Sequence, residues 1–435
     1  MKHLAPACFR AFACAGASCP DSCCRAGWEI VPDEETLALY QTLPGETGEQ
    51  IRAGIVPGEE PLLKQDQSRV CVLLDPDGLC CVQKHFGHEA LCRVCREYPR
   101  FHREFGGLTE HGVSLSCPTA YALAVAAPPA WEEWEDEAPP VPNDLDPKAY
   151  LRLRKGRALA LDLLAREDLP LWQRVALVRR LAAALQGAPE RIVHHDYAIR
   201  MRRWITVGGG AKPPKGMACA FEHSSPARSA GPHWGPGAER ACDAPQVRFG
   251  TLARAVEGAG PYSIDAALAR RFLALEILSP AWKDALERFA AMAEAGALPE
   301  DASALFETRT AGCRPYRAGT LRTAGCRPYR RITTRTAGCR PYKQKTTRTA
   351  ECRPYMAETA SEEYARWLWH ELYKYWMDAL DDGNLLGRVD RSLDMLRLGI
   401  AMDRAFPEEG PVLRRISREI EHCEENLAAL LPPSP

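Results

Sequence analysis

The sequence predicts a mainly α-helical protein, in which a Cys-rich N-terminal metal-binding module with little β structure is followed by an α-helical bundle. Three observations carry this. Eleven of the eighteen cysteines fall between Cys8 and Cys117. Apolar residues recur at three- and four-residue spacing beyond residue 147. The chain has 435 residues and is 46% hydrophobic, enough for a real core and for two or three domains. Its net charge of -1 names no partner.

The module, residues 1–127, has two halves. Cys14, Cys19, Cys23 and Cys24 precede Gly27-Trp28-Glu29-Ile30, and Cys71, Cys80, Cys81, Cys92, Cys95 and Cys117 follow. Thiols this close in sequence suit a thiolate-bound metal, because a short loop can wrap them round one ion or cluster. A disulfide net is the competing reading. No uninterrupted apolar run is long enough for a signal peptide or a membrane span, so a cytoplasmic protein with reduced thiols is expected, and metal outweighs disulfides. A closed zinc site often uses two CxxC pairs, and only Cys92 and Cys95 have that spacing. Irregular spacing fits an iron-sulfur cluster with ligands gathered from distant loops.

Between the halves, Asp33 to Leu43 is expected to be a helix, with Leu37, Leu39 and Tyr40 available for packing. Residues 67–82 read as a short hairpin turning at Asp75-Pro76-Asp77-Gly78, with a cysteine on each arm. The segment Arg96 to Phe105 mixes aromatic and basic residues, which suits either a nucleotide-like cofactor or an amphipathic packing face. His85, His88, His102 and His111 are left out of the metal set, since a lone histidine is more often structural than a ligand.

Residues 128–147, with their Trp-Glu-Glu-Trp-Glu-Asp-Glu run, read as an acidic Pro-rich linker. Helical regions are expected over 148–206 and 248–306. Leu171, Val175, Val178, Leu181 and Leu185 form one stripe, and Leu268, Phe272, Leu275, Trp282, Leu286 and Phe289 another, broken at Pro280. Residues 207–247 are rich in Gly, Pro, Ser and Ala and read as a disordered linker. Gly208-Gly209-Gly210 opens no helix, so it is a weak phosphate loop.

Residues 307–355 hold an internal repeat. The octet RTAGCRPY recurs at Arg309, Arg322 and Arg335, and at Arg348 with Glu351 in place of glycine. From Thr308 to Tyr355 there are thirteen Lys and Arg against one Glu. A basic array of this kind could bind nucleic acid, and its four cysteines a metal. Near-perfect copies in an otherwise unrepetitive chain instead read as a translated tandem DNA repeat forming a disordered insertion, so nucleic acid is not an expected partner. The C-terminal region, 356–432, carries three helical stripes: Tyr364 to Trp376, Leu385 to Ile400, and Ile416 to Leu430.

The order Cys14, Cys19, Cys23-Cys24, Gly27-Trp28-Glu29-Ile30, Cys71, Gly78-Leu79-Cys80, Cys95-Arg96-Glu97-Tyr98-Pro99-Arg100 and Ser116-Cys117-Pro118 resembles the flagellin lysine-N-methylase family. More distantly it is similar to zinc- or iron-chelating cysteine-cluster proteins. The resemblance is specific over residues 5–125. It implies S-adenosylmethionine-dependent methyl transfer to lysines of a protein substrate, flagellin, by an enzyme carrying a 4Fe-4S cluster. Carried over position by position, the metal cysteines are Cys14, Cys19, Cys23, Cys24, Cys71, Cys80, Cys95 and Cys117, while Cys8, Cys81 and Cys92 lie outside the pattern. Eight thiolates exceed the four that one cluster uses, so either some are structural or there are two sites.

Such an enzyme must take a proton from the lysine ammonium, and its sulfonium donor favours aromatic faces. Glu29 and Tyr98 are the candidate catalytic residues, and Trp28 and Arg100 the candidate cofactor contacts. The alternatives are a non-enzymatic zinc- or iron-binding protein and an electron carrier.

Overall fold

The structure is a computed structural model that describes residues 1–186, 266–298 and 353–432. The Gly/Pro-rich segment 207–247, the expected helical stretches 187–206, 248–265 and 299–306, and the repeats up to residue 352 lie outside the described residues.

The chain opens with strand β1 (Lys2–Pro6) and the short helix α1 (Ala7–Ala11). Asp33 then caps α2 (Glu34–Thr42) by accepting from the Thr36 N–H at 3.0 Å. Tyr40 of this helix is buried, while Leu39 faces solvent. Helix α3 (Gly45–Ala53) leads into a minimal pair of strands, β2 (Ile55–Val56) and β3 (Leu62–Leu63). The expected hairpin over 67–82 is contracted to isolated bridges, Gln65 to Cys71 and Leu74 to Cys80, around a turn in which the Gly78 N–H donates to the Asp75 carbonyl. Lys84 clamps that turn through Asp75 and Asp77 at 3.0 and 2.6 Å. The second arm does not extend, because Cys80 is already the N-cap of α4 (Cys81–Phe86). Helix α5 (Arg93–Glu97) follows.

Strands β4 (Arg100–Phe105) and β5 (Leu108–Val113) form the hairpin of a four-stranded sheet in the order β4-β5-β1-β6. Strand β1 runs parallel to β5 and antiparallel to β6 (Trp131–Glu135). Helix α6 (Pro118–Ala126) bridges β5 and β6. The acidic linker expected over 128–147 is corrected by β6, whose Pro6 to Trp131 and Lys2 to Glu135 register completes the sheet. Its two tryptophans explain why it is held. Trp131 packs on Trp369 and Tyr373 at 5.0 and 5.3 Å between ring centroids, and Trp134 stacks on His3 and His111 on the other face. A run dominated by glutamates hides that alternation.

The remainder is helical: α7 (Pro147–Leu164), α8 (Leu171–Gln186), α9 (Ala266–Leu273), α10 (Pro280–Glu294), α11 (Arg353–Tyr375), α12 (Ala379–Asp382), α13 (Leu385–Ala405), α14 (Val412–Ile420) and α15 (Glu424–Ala429). The mainly helical class is as expected. The stripes read from sequence are buried: Val178, Leu286, Trp367, Leu393 and Ile416 are each at most 1% exposed. Proline and serine explain the break between α9 and α10, since Ser279 caps α10 by accepting from the Trp282 N–H with Pro280 at its first position.

One hydrophobic core runs from Phe12, Val113 and Leu115 through these helices to Leu430. A smaller one gathers Tyr40, Ile51, Leu73, Cys81, Val82 and Leu91. The sheet is locked to the helices by a buried ion pair between Glu110 on β5 and Arg157 on α7, and by the Tyr373 hydroxyl donating to the His111 carbonyl at 2.9 Å. Removing one partner strands the other charge. Glu110→Ala is therefore expected to cost about 3–5 kcal/mol, read as a lower urea midpoint.

Candidate metal centre

A cavity of about 370 Å³ lies where the two cores meet. All eight cysteines expected as ligands line it: Cys14, Cys19, Cys23, Cys24, Cys71, Cys80, Cys95 and Cys117. Cys92 joins them, while Cys8 and Cys81 sit in packed apolar surroundings. The CxxC spacing of Cys92 and Cys95 is the sequence signal for the ninth thiol.

The chain brings these thiols together by short, cap-based segments. Gly16, at φ 56°, turns the first loop so that its N–H donates to Cys14 Sγ at 3.4 Å. Ser22 caps the turn at Cys23, and Asp21 is held by Arg414 and Arg418 of α14, each at 2.6 Å. The Cys71 N–H donates to the Cys24 carbonyl at 2.9 Å, tying the second half of the module to the first. Cys80, Cys92 and Cys117 are the N-caps of α4, α5 and α6, and the N–H groups of those first turns favour thiolate, although at Cys117 burial outweighs them and raises the thiol.

Paired thiols polarise one another. The Cys23 thiol donates to Cys24, which together with the Ser22 hydroxyl and the Arg25 charge brings Cys24 down to about 6 and raises Cys23. Cys80 is lowered chiefly by its contact with Cys81, and Cys92 by its contact with Cys95. Burial pushes Cys71 up to about 12. A set of thiols so close that protonation of one depends on its neighbour is what a metal with thiolate ligands relieves.

The nine thiols of the cavity come from both halves of the module, Cys14, Cys19, Cys23 and Cys24 from the first and Cys71, Cys80, Cys92, Cys95 and Cys117 from the second.

Of the remaining candidates, Tyr98 and Arg100 line the cavity. Arg100 is held by the Phe12 carbonyl at 2.9 Å and lies over the Phe12 ring. Trp28 stands behind the lining, edge-on to the Tyr98 ring at 5.1 Å. Glu29 is exposed and outside the lining. His88 also lines the cavity, whereas His102 and His111 pair with each other in the sheet.

Sequence reasoning misses what stands behind Tyr98. Its hydroxyl meets Ser116 Oγ at 3.0 Å, Ser116 meets Ser114 Oγ at 2.5 Å, and Ser114 donates to Glu421 Oε2 at 2.6 Å. Lys374 pairs with the same carboxylate oxygen. Glu371 lies beside them, fully buried, and burial followed by the Glu421 charge raises it to about 8. No local signal marks Glu421, which lies more than 300 residues from Ser114.

Glu371 gives a pH prediction. Above the ordinary carboxylate range the unfolded chain loses this proton, while the folded chain keeps it until about pH 8. Over that window the folded state binds more protons, so stability falls as pH rises. Lys374, Arg391 and Glu421 face the group and stay in place in Glu371→Gln. Unfolding midpoints from pH 5 to 8 should decline in the parent and flatten in that variant.

Comparison with known proteins finds relatives that match part of the chain. It is 33% identical over 136 residues to the flagellar biosynthetic protein FliU of Salmonella muenchen, a match covering 29% of this chain and 78% of that protein. It is 33% identical over 136 residues to the lysine-N-methylase of Salmonella typhimurium and 32% identical to that of Salmonella choleraesuis. Each of those matches spans about a third of the methylase's length. No family model and no solved structure matches the chain.

Proposed function

We propose that this chain, which belongs to the flagellin lysine-N-methylase family, is a protein-lysine N-methyltransferase that uses S-adenosylmethionine, acts on flagellin and carries a cysteine-ligated 4Fe-4S cluster. The observation that carries this reading is the cavity lined by nine cysteines, more than one zinc ion uses, gathered at irregular sequence spacing from both halves of the module. The relatives named lysine-N-methylase support the reaction, and the one named for flagellar biosynthesis supports the substrate.

The donor set fits the group. Cys14, Cys19 and Cys23 neighbour Cys117 of the large core, while Cys24 neighbours Cys71, Cys80 and Cys95, with Cys92 beside Cys95, in and against the small one. Four of these would hold the cluster. When bound, it supplies iron that an amino or carboxylate group can ligate.

The chain's own residues supply proton handling. A lysine ammonium is not a nucleophile, and it must give up a proton as methyl carbon leaves sulfur and bonds to Nζ. Tyr98 lines the cavity, and burial keeps its hydroxyl protonated. It can take that proton while passing its own through Ser116 Oγ and Ser114 Oγ to Glu421 Oε2. Trp28, edge-on to Tyr98 and hydrogen-bonded to the Arg418 carbonyl, fixes the ring. The test is transfer of a labelled methyl group from S-adenosylmethionine to purified flagellin, with the modified lysines located by mass spectrometry. An iron-loaded protein that transfers none overturns the assignment.

A further inference from the structure

Outside the lining of the cysteine cavity, the chain gathers a second set of metal-ligating side chains. Glu276 lies in the link between α9 and α10, and His422 and Cys423 in the link between α14 and α15. One ligand atom of each falls within 4.8 Å of the other two, the only such trio among the described residues. Carboxylate, imidazole and thiolate are a mixed O, N, S donor set of the kind zinc takes.

A second observation points to a ligand. The His422 side chain is only 9% exposed, yet neither ring nitrogen finds a hydrogen-bond partner of good geometry. An imidazole buried without a partner is costly, and nearly every buried one is satisfied. The carboxylate of Glu276 stands 3.9 Å from Nε2, too far for a hydrogen bond and close enough to share an ion.

The surroundings hold the trio in place. Asn426 donates to the Glu276 carbonyl at 2.9 Å and accepts from its N–H at 2.8 Å, and it also donates to the Glu419 carbonyl. Glu419 in turn accepts from the Leu278 N–H at 2.9 Å. Cys423 caps α15, accepting from the Asn426 N–H, and its thiol donates to Glu425 Oε2 at 3.2 Å. Arg69 of the module reaches Glu276 at 3.8 Å, with a left-handed φ of 60°. Three chain segments distant in sequence therefore converge on one point.

We infer that Glu276, His422 and Cys423 form a zinc site, separate from the cysteine cavity, that staples the α9–α10 link to the C-terminal helices. On binding, the Cys423 thiol gives its proton to solvent and its sulfur to the metal, while the Glu276 carboxylate and one imidazole nitrogen complete three ligands. A water or Glu425 fills the fourth position. The role is structural, because the ligands belong to inter-helix links and lie outside the substrate-sized cavity.

The test is zinc and iron content of the full chain after dialysis, measured for the parent, His422→Ala, Glu276→Gln and the cysteine-cavity variant Cys19→Ala, Cys95→Ala. One zinc per chain in the parent and the cavity variant, lost in His422→Ala and at least tenfold more weakly held in Glu276→Gln, is the expected result. A zinc-free parent, or zinc unchanged in His422→Ala, overturns the site. Zinc lost from the cavity variant alone also overturns it, by placing the ion among the cavity thiols. Should His422→Ala fail to fold, the milder Cys423→Ser decides. Loss of the zinc with iron content unchanged supports the site, and one zinc per chain retained in that variant contradicts it. Iron content reads the cavity independently, so failure of the cluster leaves this result intact.

Discussion

Cys19→Ala combined with Cys95→Ala should strip the protein of iron and of methylation activity together. The two thiols line the same cavity from different segments, Cys19 from the loop pinned by Arg414 and Arg418, and Cys95 from α5. Removing both takes a thiol from each half of the module, so a cluster held between the halves loses its support on both. Broad absorption around 400 nm, with iron and sulfide, is expected to disappear, and methyl transfer to fall below detection. The large core does not include these residues, so α7, α11 and α13 should remain folded by circular dichroism. Full iron in this variant would show that the cavity thiols are not the ligands.

Tyr98→Phe should separate proton transfer from everything else. Phenylalanine keeps the ring against Trp28 and removes only the hydroxyl that opens the path to Glu421. General acid–base groups contribute roughly 10²- to 10⁴-fold, so kcat near neutral pH should fall by that range with iron content and KM for flagellin unchanged. The loss should shrink as pH approaches the ordinary lysine pKa of about 10.4, where the amine arrives without its extra proton. Glu421→Gln should reproduce the profile. A Tyr98→Phe enzyme with parental kcat across pH would remove the relay from the mechanism.

Much of this molecule is legible in its amino-acid order. Cysteine spacing locates the thiols because caps and tight turns are local: Gly16, Ser22, Gly78 and Pro118 each act within a few residues of the sulfur they aim. Helical stripes such as Leu385, Val389, Leu393 and Ile400 are equally legible, since a buried helix face repeats in the sequence. Strand β6 is not, because its glutamates read as a solvated spacer while its pairing depends on β1, more than 120 residues earlier. The functional groups behind Tyr98 are hidden for a stronger reason. Ser114, Lys374 and Glu421 meet only when the end of β5, α11 and the end of α14 fold together, and none carries a motif. The trio of Glu276, His422 and Cys423 is of the same kind, with Cys423 on an apolar stripe that reads as core. Glu29 shows the converse, an acid beside motif cysteines in sequence that the chain turns outward.

Metal analysis of anaerobically purified parent protein decides whether the cysteine cavity holds the proposed iron-sulfur cluster. Iron and acid-labile sulfide in equal amounts, at about four of each per chain, with absorption around 400 nm, are the predicted result. A protein that folds and methylates flagellin with no iron or sulfide, or one whose only metal is zinc, would contradict it.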